Sequence, residues 1–371
     1  MNRKDSKRIL VVGLTERMGG VESFIYNTTK FSNKDKYQYD YLVHGSNHCV
    51  FQKEISDFYN DERHIFFVRK IKENPVCCYY DLIRFYRVNG RKYKYIHFQT
   101  GATSEIMYIF PFSFIYGIKV ISHSHSSNGY NPIINKMFRP IVNLVTDKWL
   151  TCSKLAGEWL FGKKYAKKAI IINNGIDTER FIFDYCKRQK IRDKYNIGNE
   201  LVIGHIGRFS IEKNHEKIIE IFLELLKINK DAKLLLVGVG ERQELIYQKV
   251  KEMSMANSVI FAGKQIETEA YYSAFDVFLM PSLYEGLPIV GVEAQAEGLH
   301  CYFSDQVDKQ IKITDRAHII KLERTSSEWA KKILSDINKN VKDREKYSKL
   351  ISEKGYSIRE TVRKLEDIYE V

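Results

Sequence analysis

The chain has 371 residues, 44% of them hydrophobic, and its 59 Lys and Arg against 46 Asp and Glu give a formal charge of +13. This length is too great for one typical core and fits two domains of about 150 to 200 residues each. The charge excess lies in one half, because residues 1–180 carry +12 and the rest carry +1. A basic half favours an anionic surface or partner, such as lipid headgroups or nucleic acid.

The sequence carries no sign of export or of a membrane span. Its six cysteines form no CxxC pair and no zinc-ligand spacing, which favours reduced thiols in a cytosolic protein. The first residues are basic and then strand-like, without the apolar core of a signal peptide. The longest near-apolar stretch, residues 107–118, contains Pro111 and falls short of the roughly 20 residues that a spanning helix needs. We expect a cytoplasmic protein, with this stretch buried or interfacial.

Short runs of Val, Ile, Leu and aromatic residues alternate with helical patterns, which predicts an α/β protein with two Rossmann-like halves. The strands predicted in the first half are 9–13, 39–44, 64–68, 95–99, 119–123, 149–152 and 169–172. Those predicted in the second half are 201–206, 233–237, 258–262, 277–280 and 301–304. A helix over 214–229 has amphipathic spacing. The turn-forming Asn174-Gly-Ile-Asp177 places the domain boundary near residue 180.

Two segments at strand ends could bind phosphate. Gly19 and Gly20, in Met18-Gly-Gly-Val-Glu22, lie between the first strand and a helix. There they could admit a phosphate close to the backbone and adopt positive φ, or serve the turn alone. Arg208 and Lys213 follow the strand 201–206, where ligands of open α/β sheets bind, and could bracket a diphosphate. The alternative is two solvated surface cations.

Two further pairs involve histidine and glutamate. His123 and His125 end the strand 119–123 on one face, where either could reach a substrate or be structural. Glu285 and Glu293 flank a turn that opens a helix, and Pro288 suits its first turn. The amides of Gly286 and Leu287 then lie at a helix N-terminus, where an anion is favoured. Alternatively, both glutamates simply complement the helix dipole.

These segments together resemble the retaining glycosyltransferases of family 4, which have the GT-B fold. The resemblance covers roughly residues 9–306 and is most specific over 261–298. The strings that carry it are GGVE, HSH, TCS, NNGID, GRF…EKN, LLVGVGE, FAGK and DVFLMPSLYEGLPIVGVEAQAEG. Within the family, the sequence is most similar to bacterial capsule and exopolysaccharide transferases. The resemblance implies two Rossmann-like domains facing a central cleft, over 1–179 and 180–350, with a final helix in 351–371 that crosses back to the N-terminal domain.

The resemblance also implies roles for individual residues. Arg208 and Lys213 would hold the donor diphosphate and stabilise the charge of the leaving nucleotide. Glu293 would accept hydrogen bonds from the ribose hydroxyls. The donor sugar would be held by Glu285 and by the amides of Gly286 and Leu287.

In the N-terminal domain, the resemblance implies that Gly19 and Gly20 approach the phosphates or the acceptor. His125, or failing it His123, would face the reacting sugar. The leaving diphosphate would help to deprotonate the acceptor, so no catalytic base is assigned. The sequence has no Asp-x-Asp string, and we expect neither a metal nor another cofactor. The donor is expected to be a UDP-sugar, because UDP predominates in such enzymes.

The acceptor is expected to be a glycan, as a polyprenyl-diphosphate-linked sugar at the cytoplasmic face of the membrane. The basic and apolar segment 131–148, with Lys163, Lys164, Lys167 and Lys168, could lie on an anionic leaflet or form an ordinary half-buried helix. Two other functions are a nucleotide-sugar epimerase of the same fold and a transferase homologue that only binds. No RNA-binding aromatic motif or helix-turn-helix is evident, so no nucleic-acid partner is expected.

Overall fold

A computed structural model describes residues 6–16, 19–45, 47–126, 131–337 and 343–370 of the chain. Met18, part of the predicted glycine turn, lies outside these residues. The chain divides into two compact units, the first formed by Met1–Gly175 with Ile358–Val371 and the second by Ile176–Ser357. The boundaries expected from the sequence followed residues 179 and 350.

The described part of the first unit is built on a parallel sheet of seven strands, in the order β3-β2-β1-β4-β5-β6-β7. The strands are β1 (Lys7–Val12), β2 (Tyr37–His44), β3 (Ile65–Val68), β4 (Tyr95–Thr100), β5 (Lys119–Ser124), β6 (Lys148–Thr151) and β7 (Ile170–Ile171). The strand order reverses between β1 and β4. Ligands of open parallel sheets bind at the carboxyl end of such a reversal.

Helices cover both faces of this sheet, because alternate residues of each strand point to opposite sides. The helices before the unit boundary are α1 (Gly20–Phe31), α2 (Gln52–Tyr59), α3 (Pro75–Asn89), α4 (Phe112–Ile115), α5 (Pro132–Val145) and α6 (Lys154–Ala166). Leu10 and Val12 of β1 belong to one buried cluster with Leu82 of α3 and Val142 of α5. That cluster is the main core of the unit.

The second unit is described as a parallel sheet of six strands, in the order β10-β9-β8-β11-β12-β13. The strands are β8 (Val202–Ile206), β9 (Lys233–Val237), β10 (Val259–Gly263), β11 (Val277–Met280), β12 (His300–Ser304) and β13 (Ala317–Ile320). The helices are α7 (Tyr185–Lys194), α8 (His215–Leu226), α9 (Gln243–Glu252), α10 (Thr268–Ala274), α11 (Ile289–Ala296), α12 (Ser326–Ile337) and α13 (Lys346–Ile351). The order reverses between β8 and β11, which defines the equivalent ligand position in this unit.

The final helix, α14 (Ile358–Glu370), returns to the first unit and packs there beside α1. Its apolar face, with Ile358, Leu365 and Tyr369, is buried. The Lys7 ammonium donates to the Tyr369 carbonyl oxygen at 3.2 Å, and Lys148 donates to the Ile368 carbonyl oxygen at 2.7 Å. The expectation that the last helix crosses back onto the N-terminal domain is therefore confirmed.

The sequence analysis missed β13. This strand has four residues, and His318 interrupts its apolar run, so the pattern resembled a polar loop. It forms because Cys301 and Phe303 of β12 pair with Ala317 and Ile319 in parallel register.

No helix within the described residues is long and apolar enough to cross a membrane.

Candidate active site

In the second unit, the loops after β8 and β11 carry the residues that the sequence singled out. The two strands are neighbours at the point where the strand order reverses. Two hydrogen bonds join the loop after β8 to the loop after β11, in addition to the ion pair described below. Leu283 donates its amide to the Glu212 carbonyl oxygen at 2.8 Å, and the Asn214 side chain donates to the Pro281 carbonyl oxygen at 3.0 Å.

The course of the loop after β8 depends on close backbone packing. Gly238, after β9, has φ +139°, and a Cβ atom there would lie 2.0 Å from the Gly207 carbonyl oxygen. Asn214 ends a short 3₁₀ turn with φ 54°, a left-handed conformation that asparagine tolerates. These features place Arg208 and Lys213 at the carboxyl edge of the sheet.

We predict that Gly238→Ala lowers the free energy of unfolding by about 3 kcal/mol or more, since it adds a backbone clash to an unfavourable φ. Gly263→Ala is the matched control, because Gly263 also has positive φ, +68°, but no atom lies within 4 Å of its added Cβ. The control should cost only about 1 kcal/mol. Urea denaturation of both variants measures the difference, and equal losses would contradict the packing argument.

Lys213 and Glu285 form an ion pair across the two loops. Their Nζ and Oε1 atoms are 2.5 Å apart, and the side chains are 16% and 17% exposed. The Arg208 guanidinium donates to Glu212 at 3.2 Å in the same loop. The two cations expected to bind a diphosphate, Arg208 and Lys213, are therefore paired with carboxylates in the structure. A bound diphosphate would compete with these carboxylates for the two cations.

The loop after β11 is anchored to the loop after β12. Glu285 donates its amide to the Gln306 carbonyl oxygen at 3.2 Å, and Asp308 donates its amide to the Gly286 carbonyl oxygen at 3.4 Å. Helix α11 begins at Ile289, one residue after Pro288, which occupies the N-cap. The amides of Gly286 and Leu287 thus precede the helix, whereas the sequence analysis placed Pro288 within its first turn.

Glu293 lies on the fifth residue of α11, beside α10. The Tyr272 hydroxyl donates to its Oε2 atom at 2.9 Å. Burial raises the pKa of Glu293 to about 7, although Tyr272 and the nearby Arg180 oppose the shift. The residue keeps partial exposure, so a ligand could still reach the carboxyl group.

Glu297, one turn further, also has its pKa raised to about 7 by burial, while Arg344 and Ser273 oppose the shift. A carboxyl whose pKa is raised on folding favours the folded chain below its unfolded pKa, and this contribution is lost as pH rises through about 7. Glu293 and Glu297 are therefore two carboxyl groups on one short helix that titrate near neutral pH.

In the first unit, Gly19 and Gly20 begin α1 after β1. Gly19 is the N-cap with φ −157°, and no atom lies within 4 Å of a Cβ placed on Gly20. Of the two possibilities left open by the sequence, positive φ is not adopted, because neither glycine is among the residues with positive φ. The glycine that needs positive φ is Gly13, with φ +142°, where a Cβ would meet the Gln99 carbonyl oxygen at 2.1 Å. Gly20 nevertheless leaves open space at the start of a helix.

His123 and His125 end β5 differently. His123 is fully buried, whereas His125 keeps partial exposure at the carboxyl edge of the sheet. The His125 Nε2 atom lies 3.1 Å from Gln99 Oε1. Burial lowers the pKa of His125 to about 3, so the ring is neutral at physiological pH. Of the two histidines, His125 is the one that a ligand can reach.

Sequence reasoning missed several residues that hold these groups. Tyr272 hydrogen-bonds to Glu293, Arg180 acts on it through its charge, and Gln99 lies within hydrogen-bond distance of His125. A signal for Gln99 existed, since Tyr95, His97 and Gln99 alternate along β4 and so share one face. Tyr272 gave no such signal, because its contact with Glu293 depends on how α10 packs against α11.

Comparison with known proteins supports one class. Residues 187–354, all within the second unit, match the family model described as glycosyl transferases group 1. The candidate glycosyltransferase EpsF of Bacillus subtilis is 28% identical over 98% of this chain and 97% of its own length. An Escherichia coli UDP-Gal:alpha-D-GlcNAc-diphosphoundecaprenol alpha-1,3-galactosyltransferase is 26% identical over 54% of each chain.

Solved structures agree on the fold. HepE of Anabaena in complex with UDP-glucose has a TM-score of 0.80 at 16% identity, over 98% of this chain and 99% of that chain. A sucrose-phosphate synthase of Thermosynechococcus elongatus has a TM-score of 0.75 at 15% identity, over 98% of both chains. The expected GT-B fold is confirmed, and residues 187–354 are similar to the group 1 glycosyl transferases. Among named relatives, the chain is similar to EpsF over nearly its whole length.

Proposed function

We propose that the protein is a retaining glycosyltransferase of family 4 that moves a sugar from a nucleotide-sugar donor to a glycan acceptor. The observation that carries this proposal is the grouping of Arg208, Lys213 and Glu285 on joined loops at the strand-order reversal of the second unit. Two cations there suit a diphosphate. Glu293, partly exposed on the helix that follows, suits ribose hydroxyls.

In this mechanism the second unit binds the donor. The ammonium of Lys213 and the guanidinium of Arg208 stabilise the negative charge that grows on the diphosphate as the sugar leaves. Glu285 accepts hydrogen bonds from sugar hydroxyls, with the amides of Gly286 and Leu287 as further contacts. In the first unit, Gly19 and Gly20 admit the phosphates or the acceptor to the backbone. Neutral His125 hydrogen-bonds to the reacting sugar.

The donor proposed is a UDP-sugar. HepE of Anabaena binds UDP and UDP-glucose in the solved complexes, and the E. coli relative is named for UDP-Gal. Release of nucleotide from a panel of UDP-, GDP- and ADP-sugars, with and without acceptor, tests the proposal. We expect release from UDP-sugars, unchanged by EDTA because no catalytic metal is proposed. Release from none of them would overturn it.

The proposed acceptor is a polyprenyl-diphosphate-linked oligosaccharide in capsule or exopolysaccharide synthesis at the cytoplasmic face of the cell membrane. The diphosphoundecaprenol in the name of the E. coli relative and the likeness to EpsF support it. The same assay separates the alternatives. Interconversion of free UDP-sugars without transfer would favour an epimerase, and binding of UDP-sugars without turnover would favour a non-catalytic subunit.

Peripheral contact with an anionic membrane is part of this proposal. Residues 75–146 contain eight Lys and Arg but only two acidic residues, Asp81 and Glu105. Helices α3, α4 and α5 of this segment pack around one wall of the first unit; the rings of Tyr86 and Phe112, for example, stack at 4.5 Å. The exposed apolar side chains of these helices, here the α3–α5 face, are Val76, Tyr80, Ile83, Val88, Phe114, Ile115, Ile133, Ile134, Met137 and Leu144.

An apolar face with basic and almost no acidic residues suits an anionic leaflet, where each nearby cation contributes on the order of 1 kcal/mol. The segment expected from sequence, 131–148, supplies α5 to this face. Lys163, Lys164, Lys167 and Lys168 are exposed at and after the end of α6. The proposed face also includes α3 and α4; of these, only α4 lies in a stretch, 107–118, that was expected from the sequence to be buried or interfacial.

We predict that the protein floats with vesicles containing phosphatidylglycerol and much less with phosphatidylcholine alone. The double variant Val76→Asp/Ile133→Asp places carboxylates at two sites that are each 80% exposed on this face. It should lose most of its vesicle binding. Ile228→Asp/Leu245→Asp, on exposed positions of the second unit, is the control. Vesicle binding that does not depend on lipid charge, or an equal loss of binding in the two double variants, would contradict the membrane proposal.

A further inference from the structure

A row of buried polar rings runs through the first unit from the C-terminal helix to the end of β5. The Tyr369 hydroxyl lies 2.6 Å from His97 Nδ1, and His97 Nε2 lies 3.3 Å from His123 Nδ1. The ring of His123 then lies against that of His125, with centroids 4.1 Å apart. Tyr369, His97 and His123 are each at most 1% exposed.

The hydrogen bonds of the row can all run in one direction. Burial raises the pKa of Tyr369, and a side-chain hydrogen bond with Tyr39 opposes the rise; the Tyr369 hydroxyl lies within hydrogen-bond distance of His97 Nδ1. Burial lowers the pKa of His97 to about 3 and that of His123 well below its usual value, so each ring carries one N–H. When the Tyr369 hydroxyl donates to His97 Nδ1, His97 donates from Nε2 to His123 Nδ1 and His123 carries its proton on Nε2.

Ring contacts hold the planes of His97 and His123. The two ring planes are parallel within 2°, and Phe24 meets the His123 ring edge-on, with centroids 5.2 Å apart. His123 Nε2 has no hydrogen-bond partner among the described residues. A buried polar atom left without a partner is costly, so packing and the hydrogen bond from His97 must hold this ring. Its other neighbour is His125, the histidine placed in the proposed mechanism.

We propose that Tyr369, His97 and His123 are positioning residues for His125. The hydrogen bonds fix the ring plane of His123, and the ring of His125 contacts that of His123 at an interplanar angle of 37°. The last turn of the C-terminal helix thereby sets the orientation of a side chain at the carboxyl edge of the first sheet. The effect on kcat rests on the proposed function, whereas the effect on the orientation of the His125 ring does not.

Tyr369→Phe tests this proposal, because it removes the hydroxyl and keeps the ring. Long-range ¹H–¹⁵N spectra of the ¹⁵N-histidine-labelled protein should show His97 and His123 as single Nε2–H tautomers. In Tyr369→Phe the ring-nitrogen signals of His97, His123 and His125 should all move. In the transfer assay kcat should fall about tenfold, since small misplacement of a positioned group is costly, with KM for the donor unchanged.

Tyr37→Phe is the matched control. The Tyr37 hydroxyl also bonds to α14, at the Glu366 carbonyl oxygen and the Glu370 carboxylate, but lies outside the row. It should leave the histidine signals and kcat unchanged. If Tyr369→Phe does not fold, Tyr39→Phe serves as the second variant, because it removes the hydroxyl that hydrogen-bonds to Tyr369. In this variant the spectra should show both tautomers of His97.

Unmoved His125 signals in the Tyr369 or Tyr39 variant, or equal effects of the Tyr37 and Tyr369 variants, would overturn the proposal. If the wild-type protein is inactive but the Tyr369 variant shows the expected spectral changes, the result would count against the transferase function and would still support the positioning of His125 by Tyr369, His97 and His123.

Discussion

Lys213→Met should lower kcat/KM for the nucleotide-sugar donor about 100- to 1,000-fold, the range found when one preorganised donor to a developing negative charge is removed. The physical reason is the position of Lys213, partly buried at the strand-order reversal, where water screens its charge weakly. Steady-state kinetics with a UDP-sugar measures the effect. Lys217→Met is the control, since Lys217 lies four residues further on α8 and donates to the Arg324 carbonyl oxygen.

Glu285→Gln, combined with the Lys213 variant, separates two roles for the ion pair. If Glu285 only holds Lys213 in place, the double variant should be no slower than Lys213→Met alone, because the shared interaction is lost once. If Glu285 also binds the sugar, as proposed, the double variant should be slower than either single variant. Near-wild-type turnover of Lys213→Met or of Glu285→Gln would contradict the assigned roles.

Glu293 should make donor binding depend on pH. Its pKa is raised to about 7 in the free protein, and the carboxylate accepts hydrogen bonds from the two ribose hydroxyls more strongly than the protonated carboxyl group does. Donor binding should therefore lower this pKa and release a proton near neutral pH. The Kd should be flat above pH 7 and rise by up to about tenfold per pH unit below it. Calorimetry with UDP-glucose between pH 5.5 and 8.5 tests this, because its diphosphate diester does not titrate there.

Glu293→Gln should weaken binding about 10- to 100-fold, in line with the loss of hydrogen bonds to a charged group, and should abolish the pH dependence. Glu297→Gln is a demanding control. Its carboxyl has a similarly raised pKa on the same helix but bonds to Ser273 and faces Arg344. This variant should alter stability and keep the pH dependence of donor binding. A steep pH dependence that survives Glu293→Gln would rule out the ribose role.

Much of the fold followed from local pattern. The apolar runs of β9 and β11 were predicted with their observed limits, and Arg208 and Lys213 were placed correctly after β8 because strand ends and loop composition are local features. The strand β13 was missed because its four residues form a strand only through pairing with β12. Gly19 and Gly20 were considered able to adopt positive φ, but positive φ is instead required at Gly13, where an added Cβ would meet the Gln99 carbonyl oxygen of the neighbouring strand.

The sequence by itself determined the α/β class of the fold, through periodicity, and the loops that carry Arg208, Lys213 and Glu285, through short strings. The return of the last helix was implied by the resemblance to a known family. Tertiary structure alone decided how these groups are coupled. Lys213 and Glu285 are 72 positions apart, and Tyr369 lies 272 positions from His97. Ion pairing, burial of a carboxyl group and the tautomer of an imidazole depend on which atoms the fold brings within a few ångströms, and no local pattern encodes that distance.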